Sequence, residues 1–196
     1  MVEFLVRMNN AITTPNFSLN SLVNAGRMDI ACRCISNAIF LSYSIRKNVK
    51  IYINLNGPPN PPVTICFDSN NLKNVTPDER NIGSHIRIAL KKVKEDMEMK
   101  SEPGITVSKK SFEELIKEKS KNNFDLYYLT KNGKDIRNFE FGENSLFILG
   151  DHKGIPKKTE IFLEKFVKDK ISLGKIEYLA SACISIVHYE IDRKKY

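Results

Sequence analysis

The sequence is short of the features that would name its chemistry at once. Its four cysteines, Cys32, Cys34, Cys66 and Cys183, contain no C-x-x-C pair. All four stand in apolar surroundings, as buried free thiols do, so neither a disulfide framework nor a zinc knuckle is expected. The three histidines, His85, His152 and His188, are far apart and lack H-x-x-x-H spacing, which argues against a metal centre. No apolar run reaches the ~18–20 residues that cross a bilayer. The opening stretch Met1–Arg7 is too short and too charged for a secretory signal. A cytosolic protein with no membrane segment and no metal is expected.

Familiar nucleotide and nucleophile motifs are missing as well. No G-x-G-x-x-G follows the first strand and no G-x-x-x-x-G-K-[ST] occurs, which excludes the common dinucleotide and P-loop readings. There is no G-x-S-x-G elbow for a serine hydrolase. The glycine-rich loop of ordinary Rossmann-type methyltransferases is absent too.

What is present is an ordinary core and an excess of positive charge. The 196 residues are 41% hydrophobic and 28% charged, enough for one domain that buries a real core. Thirty-one Lys and Arg face 23 Asp and Glu, a net charge of +8 with a pI near 9.2. The excess is spread, with no polybasic tail. It fits a globular surface that meets a polyanion, and on charge alone it fits a plain solvated surface equally well.

Short apolar runs alternate with amphipathic stretches. Strands are predicted at Glu3–Met8, Val49–Leu55, Val63–Asp68, Gly104–Val107, Asp125–Thr130, Ser145–Leu149 and Lys170–Leu173. The runs Leu126–Leu129 and Leu146–Leu149 are continuously apolar, as in strands covered on both faces. The proline-rich stretch Asn56–Pro62 reads as a stiff hairpin-like connection. Helices are predicted at Asp29–Ser44, Ser111–Lys119, Thr159–Val167 and Leu179–Asp192. Another follows a capping box at Thr76-Pro77-Asp78-Glu79 and runs to about Met97. Strands alternating with helices predict an α/β fold, a mainly parallel sheet with helices on both faces.

Three apolar strands after residue 124 each end in a loop of small or polar residues. The loops begin Leu129-Thr130-Lys131-Asn132-Gly133, Leu149-Gly150-Asp151-His152-Lys153-Gly154 and Leu173-Gly174-Lys175-Ile176-Glu177-Tyr178. Ligands of open α/β sheets lie at such carboxyl ends, although any one of these loops could be a plain turn. Taken together, with the last loop feeding an apolar helix of small residues, they resemble the SPOUT methyltransferases. Ala25-Gly26-Arg27-Met28-Asp29-Ile30, the Thr76–Arg80 helix start and the Leu149–Gly154 loop narrow the likeness to the archaeal tRNA pseudouridine-54 N1-methyltransferases.

That resemblance implies a single SPOUT domain over residues 1–196, with a C-terminal trefoil knot in about 124–196 that holds S-adenosylmethionine. It implies cofactor contacts from Leu129, Gly150, Leu173, Gly174, Lys175, Ile176, Glu177, Tyr178 and Cys183. It implies a homodimer acting on tRNA, with Arg27 and Asp29 as catalytic candidates. Asp29 would be a base, or else only the helix cap, and Asp78 is the next carboxylate to consider. Arg27, Arg46, Lys47, Arg80 and Arg87 are candidates for RNA phosphates near the cleft. Methylation of a ribosomal RNA pseudouridine, or a non-catalytic RNA-binding module of the same fold, remains the alternative.

Overall fold

Alternation of apolar side chains builds a sheet that is covered on both sides at its centre. The computed structural model describes residues 1–194. Its strands are β1 (Val2–Met8), β2 (Val49–Leu55), β3 (Val63–Asp68), β4 (Met99–Glu102), β5 (Ile105–Ser108), β6 (Asp125–Asp135), β7 (Ser145–Gly150) and β8 (Asp169–Ser172). The helices are α1 (Met28–Ile39), α2 (Glu79–Leu90), α3 (Phe112–Lys121), α4 (Lys157–Leu163) and α5 (Ala180–Asp192).

The strands form one sheet in the order β4-β5-β3-β2-β1-β7-β6-β8. The five strands from β2 to β8 run parallel, while β3, β5 and β4 add an antiparallel wing. On β1, Phe4, Val6 and Met8 point into a core shared with α1, α2 and α5. Leu5 points the other way, to Phe112 and Ile116 of α3 and Leu163 of α4. The same division splits the apolar run of β7, whose Leu146 and Ile148 face the α3 side and whose Phe147 and Leu149 face α1 and α5. The expected helices on both faces follow from this two-sided burial.

Several boundaries differ from the sequence reading. Helix α2 is capped by Asp78, whose side chain accepts from the Asn81 amide at 2.9 Å. The predicted Thr76–Glu79 box is therefore displaced by two residues, because Asp is the stronger N-cap and Pro77 stays outside the helix. Helix α2 stops at Leu90 rather than Met97; beyond it, Asp96 adopts positive φ and Lys94 bridges Met97. Helix α1 ends at Ile39 rather than Ser44, where Phe40 and Ile45 bridge across a small turn. Helix α4 ends at Leu163 rather than Val167. Helix α3 has a complete capping box between Ser111 and Glu114. Strand β4 escaped notice because Met99-Lys100-Ser101-Glu102 has no apolar alternation, as befits a charged edge strand.

All five parallel strands end at the same edge of the sheet. Converging there are the long connection after β1, the proline-rich loop after β2, the start of α1, and the loops after β6, β7 and β8.

Candidate active site

A cleft of about 540 Å³ opens at this edge, between the three C-terminal loops and the first turns of α1. Such a volume suits a nucleoside-sized ligand. Leu129, Leu149, Ile171 and Leu173 form apolar walls, and Gly150, Gly174 and residues Ile176–Tyr178 bring backbone to its rim. Cys183 closes one side, its thiol 3.7 Å from the Tyr178 carbonyl. Burial pushes that thiol up to about 11, so it is a wall and not a nucleophile. Lys175 lies outside the cleft wall, which the other eight expected cofactor residues line.

The two marked glycines do different things. A Cβ on Gly150 would lie 2.4 Å from the Gly154 carbonyl carbon, so Gly150 lets the loop fold on itself. Gly174 has φ +114°, a backbone angle that L side chains rarely adopt, and its missing Cβ faces open space. The Gly150–Gly154 turn is pinned by Asp151, whose buried carboxylate accepts from the Asn9 amide at 2.7 Å, Asn9 Nδ2 at 2.8 Å and the Lys153 amide at 2.9 Å.

A basic cluster borders the cleft. Asp29 is 4% exposed and takes Arg27 Nε at 3.0 Å, Arg27 Nη2 at 3.1 Å and Arg33 Nη2 at 2.5 Å. Burial would raise its carboxyl, but bonds and charge from Arg27 and Arg33 outweigh this and hold it below the ordinary carboxylate value. Asp29 is not the helix cap, because it is the second residue of α1 and Arg27 occupies the capping position without a side-chain cap bond. Its oxygens are committed to two guanidiniums, which makes it a weak proton acceptor. Arg27 itself sits in the left-handed region, at φ 67° and ψ 40°.

Arg33 lines the cleft; Arg27 stands behind it on the same carboxylate. The sequence reading missed Arg33, although its i,i+4 spacing from Asp29 was available. It also missed Ile30, Asp151 and His152 in the wall. Arg33 reaches Glu79 at 3.8 Å, which brings the start of α2, and so exposed Arg80, to the same rim. Arg87 lies two turns further along α2. Arg46 and Lys47 do not reach the cleft at all. They follow the far end of α1, and Arg46 is bound to Asp192 of α5 at 2.6 and 3.2 Å. Asp78 is occupied as the α2 cap.

Among the described residues, no group of three or more His, Cys, Asp or Glu is placed to hold a metal, and no helix is long and apolar enough to cross a membrane.

The family described as "Putative SAM-dependent RNA methyltransferase" matches residues 1–196. The chain belongs to that family. This methyltransferase is 44% identical over 202 residues to the tRNA (pseudouridine(54)-N(1))-methyltransferase of Methanocaldococcus jannaschii, covering 100% of this chain and 98% of the relative. It is 41% identical to the enzyme of the same name from Methanococcus maripaludis, with 100% of both chains covered. Among solved structures, Archaeoglobus fulgidus Nep1 bound to S-adenosylhomocysteine superposes with a TM-score of 0.65 at 12% identity, covering 99% of this chain and 97% of that one. That likeness establishes a shared fold. The family's cofactor is S-adenosylmethionine, and the methyltransferase's cleft suits it, with apolar walls for a purine and backbone at the rim.

Proposed function

We propose that this chain methylates N1 of pseudouridine at position 54 of tRNA. One observation carries the reading: the three C-terminal loops and Arg33, which shares Asp29 with Arg27, line one cleft, in a chain alike over its whole length to enzymes of that name.

The cofactor supplies an activated methyl group on a sulfonium, so the protein's task is mainly positioning. Leu129, Leu173 and Ile176 would hold the adenine, and Gly150, Gly174, Glu177 and Tyr178 would offer backbone groups. The bound cofactor would supply the methyl group from its sulfur to N1, whose proton would leave to solvent. Negative charge that grows on the uracil ring meets the guanidiniums of Arg33 and Arg27, held in place by Asp29. Asp29 is thus a positioning residue rather than the base. Arg80 and Arg87 serve RNA phosphates. The nucleoside must leave its stack to enter the cleft.

The same reading includes a trefoil knot within about residues 124–196, the last two of which lie outside the described residues. Ile171 of β8 pairs with both Leu129 and Lys134, so residues 130–133 loop around the strand end. The chain leaving β8 then packs as α5 between α1 and the 136–138 turn, which supports threading. It also includes a homodimer in the cytosol, supported by an apolar band beside the cleft in which Ile176 is 67% and Leu179 65% exposed. Sedimentation giving only a 22.4 kDa species at micromolar concentration would remove the dimer.

The test is methyl transfer to tRNA carrying pseudouridine or uridine at position 54, read by nucleoside mass spectrometry, with ribosomal fragments as competitors. Methylation of the pseudouridine tRNA alone is expected, because uridine N1 is bonded to the sugar. Preference for the ribosomal fragment would overturn the reading.

A further inference from the structure

The connection between β2 and β3, Asn56–Pro62, takes no part in the cofactor cleft, yet it is tethered on several sides. Gly57 N donates to the Ala11 carbonyl at 2.8 Å and Thr13 N donates to the Pro58 carbonyl at 2.8 Å. Thr13 Oγ1 donates to the Gly57 carbonyl at 3.0 Å and accepts from Asn60 N at 2.9 Å. Lys109 Nζ donates to the Asn60 carbonyl at 2.7 Å. The polar backbone is therefore turned inward, while Pro58, Pro59, Asn60 and Pro61 are exposed. The loop is a stiff ridge whose outer face is mostly proline ring.

Its position is fixed by one carbonyl. A Cβ on Gly26 would lie 1.8 Å from Asn10 O, and a Cβ on Gly57 would lie 2.2 Å from the same atom. Both glycines thus pack against Asn10, so Arg27 and Pro58, each one residue further on, have Cα atoms no more than about 15 Å apart. The preceding residue, Asn9, donates to Asp151 and to the Gly154 carbonyl of the cofactor loop. The ridge, the arginine cluster and the cofactor loop meet on Asn9–Asn10.

We propose that this proline ridge is an RNA wedge, which packs against the stacked base left exposed when the target nucleoside flips into the cleft. The inference rests on the reading of the site as an RNA pseudouridine methyltransferase. Taking a base out of a stack is costly, and apolar side chains, proline among them, are a known means of holding a base step open. A ridge already rigid loses little freedom when it docks. Being uncharged, it adds nothing to counterion release, so its contribution is independent of salt.

The test compares two RNAs, a folded T-arm hairpin with pseudouridine at the target site and an unstructured single strand with the same nucleoside. For the P58S/P61S variant, kcat/KM on the hairpin should fall about 10- to 100-fold, with no change on the single strand. P58L/P61L, which restores apolar bulk, should recover most of the loss. Fluorescence of 2-aminopurine beside the target should rise when the wild type binds the hairpin and stay low with P58S/P61S. The salt slope of hairpin binding should be the same in all three proteins. Should P58S/P61S fail to fold, P61S alone carries the same comparison. An equal fall on both RNAs, or no fall on either, overturns the wedge while leaving the methylation reading intact. No methylation of either RNA by the wild type would instead strike that reading, and the wedge with it.

Discussion

Two arginine–aspartate ion pairs stand near opposite ends of α1, about 18 Å apart along a helix of twelve residues. At the start, Asp29 is shared by Arg27 and Arg33, and Arg33, which also reaches Glu79, lines the cleft. Past the other end, Arg46 binds Asp192 through two nitrogens, far from the cleft, and clamps the last turn of α5. The first arrangement sets a guanidinium in the cleft wall; the second ties the segment after α1 to the end of α5. Where a cation is held is set by its partner in the fold, which no charge count along the chain reveals.

The largest effect that would sharpen this contrast is at the first pair. Arg33→Ala should lower turnover by about 10²-fold or more, as for loss of one preorganised donor, while the melting temperature changes little. Arg27→Ala should do likewise with cofactor affinity unchanged, which calorimetry would check. Asp29→Asn should cost roughly tenfold in turnover and ~1–2 kcal/mol of stability, the latter reduced because both arginines are more than a third exposed.

The Asp29 carboxyl is held below its ordinary value, so its contribution is fully present above the ordinary carboxylate range and is lost as pH falls through the depressed folded-state value. Wild type and Asp29→Asn should therefore differ in stability at neutral pH and converge in acid. Parallel acid unfolding curves would deny the pair any such role.

At the second pair, Arg46→Ala should cost about 0.5–1 kcal/mol, or a melting shift of roughly 1–4 °C, with turnover and RNA affinity intact. Equal losses of RNA affinity in Arg46→Ala and Arg27→Ala would break the comparison. Lys47→Ala should be smallest of all, within ~0.5 kcal/mol and without effect on methylation.

Much of the fold was legible, since seven of the strands and all five helices announced themselves by apolar pattern. The helix ends were not, because Thr76, Pro77 and Asp78 all read as starts and only tertiary contacts choose among them. The three C-terminal loops pointed to the cleft from their small residues. Arg33 was hidden inside an amphipathic helix, where an exposed charge is normal. Gly150 and Gly174 looked alike in sequence, yet one makes room for backbone and the other for open space. Arg46 was assigned to RNA because its partner, Asp192, lies 146 residues away.

The left-handed backbone at Arg27 has a consequence of its own. A non-glycine residue at φ 67° is disfavoured by about 1–2 kcal/mol relative to its ordinary conformation, and glycine is not. Arg27→Gly should therefore be more stable than Arg27→Ala by ~1 kcal/mol, the reverse of the usual order at helical positions, as thermal melting of the two would check. Both variants lose the guanidinium and with it most turnover. On the role proposed for its guanidinium, folding and chemistry ask for different amino acids at residue 27. A library of this protein selected for heat resistance alone would drift toward glycine there and lose its methylation activity.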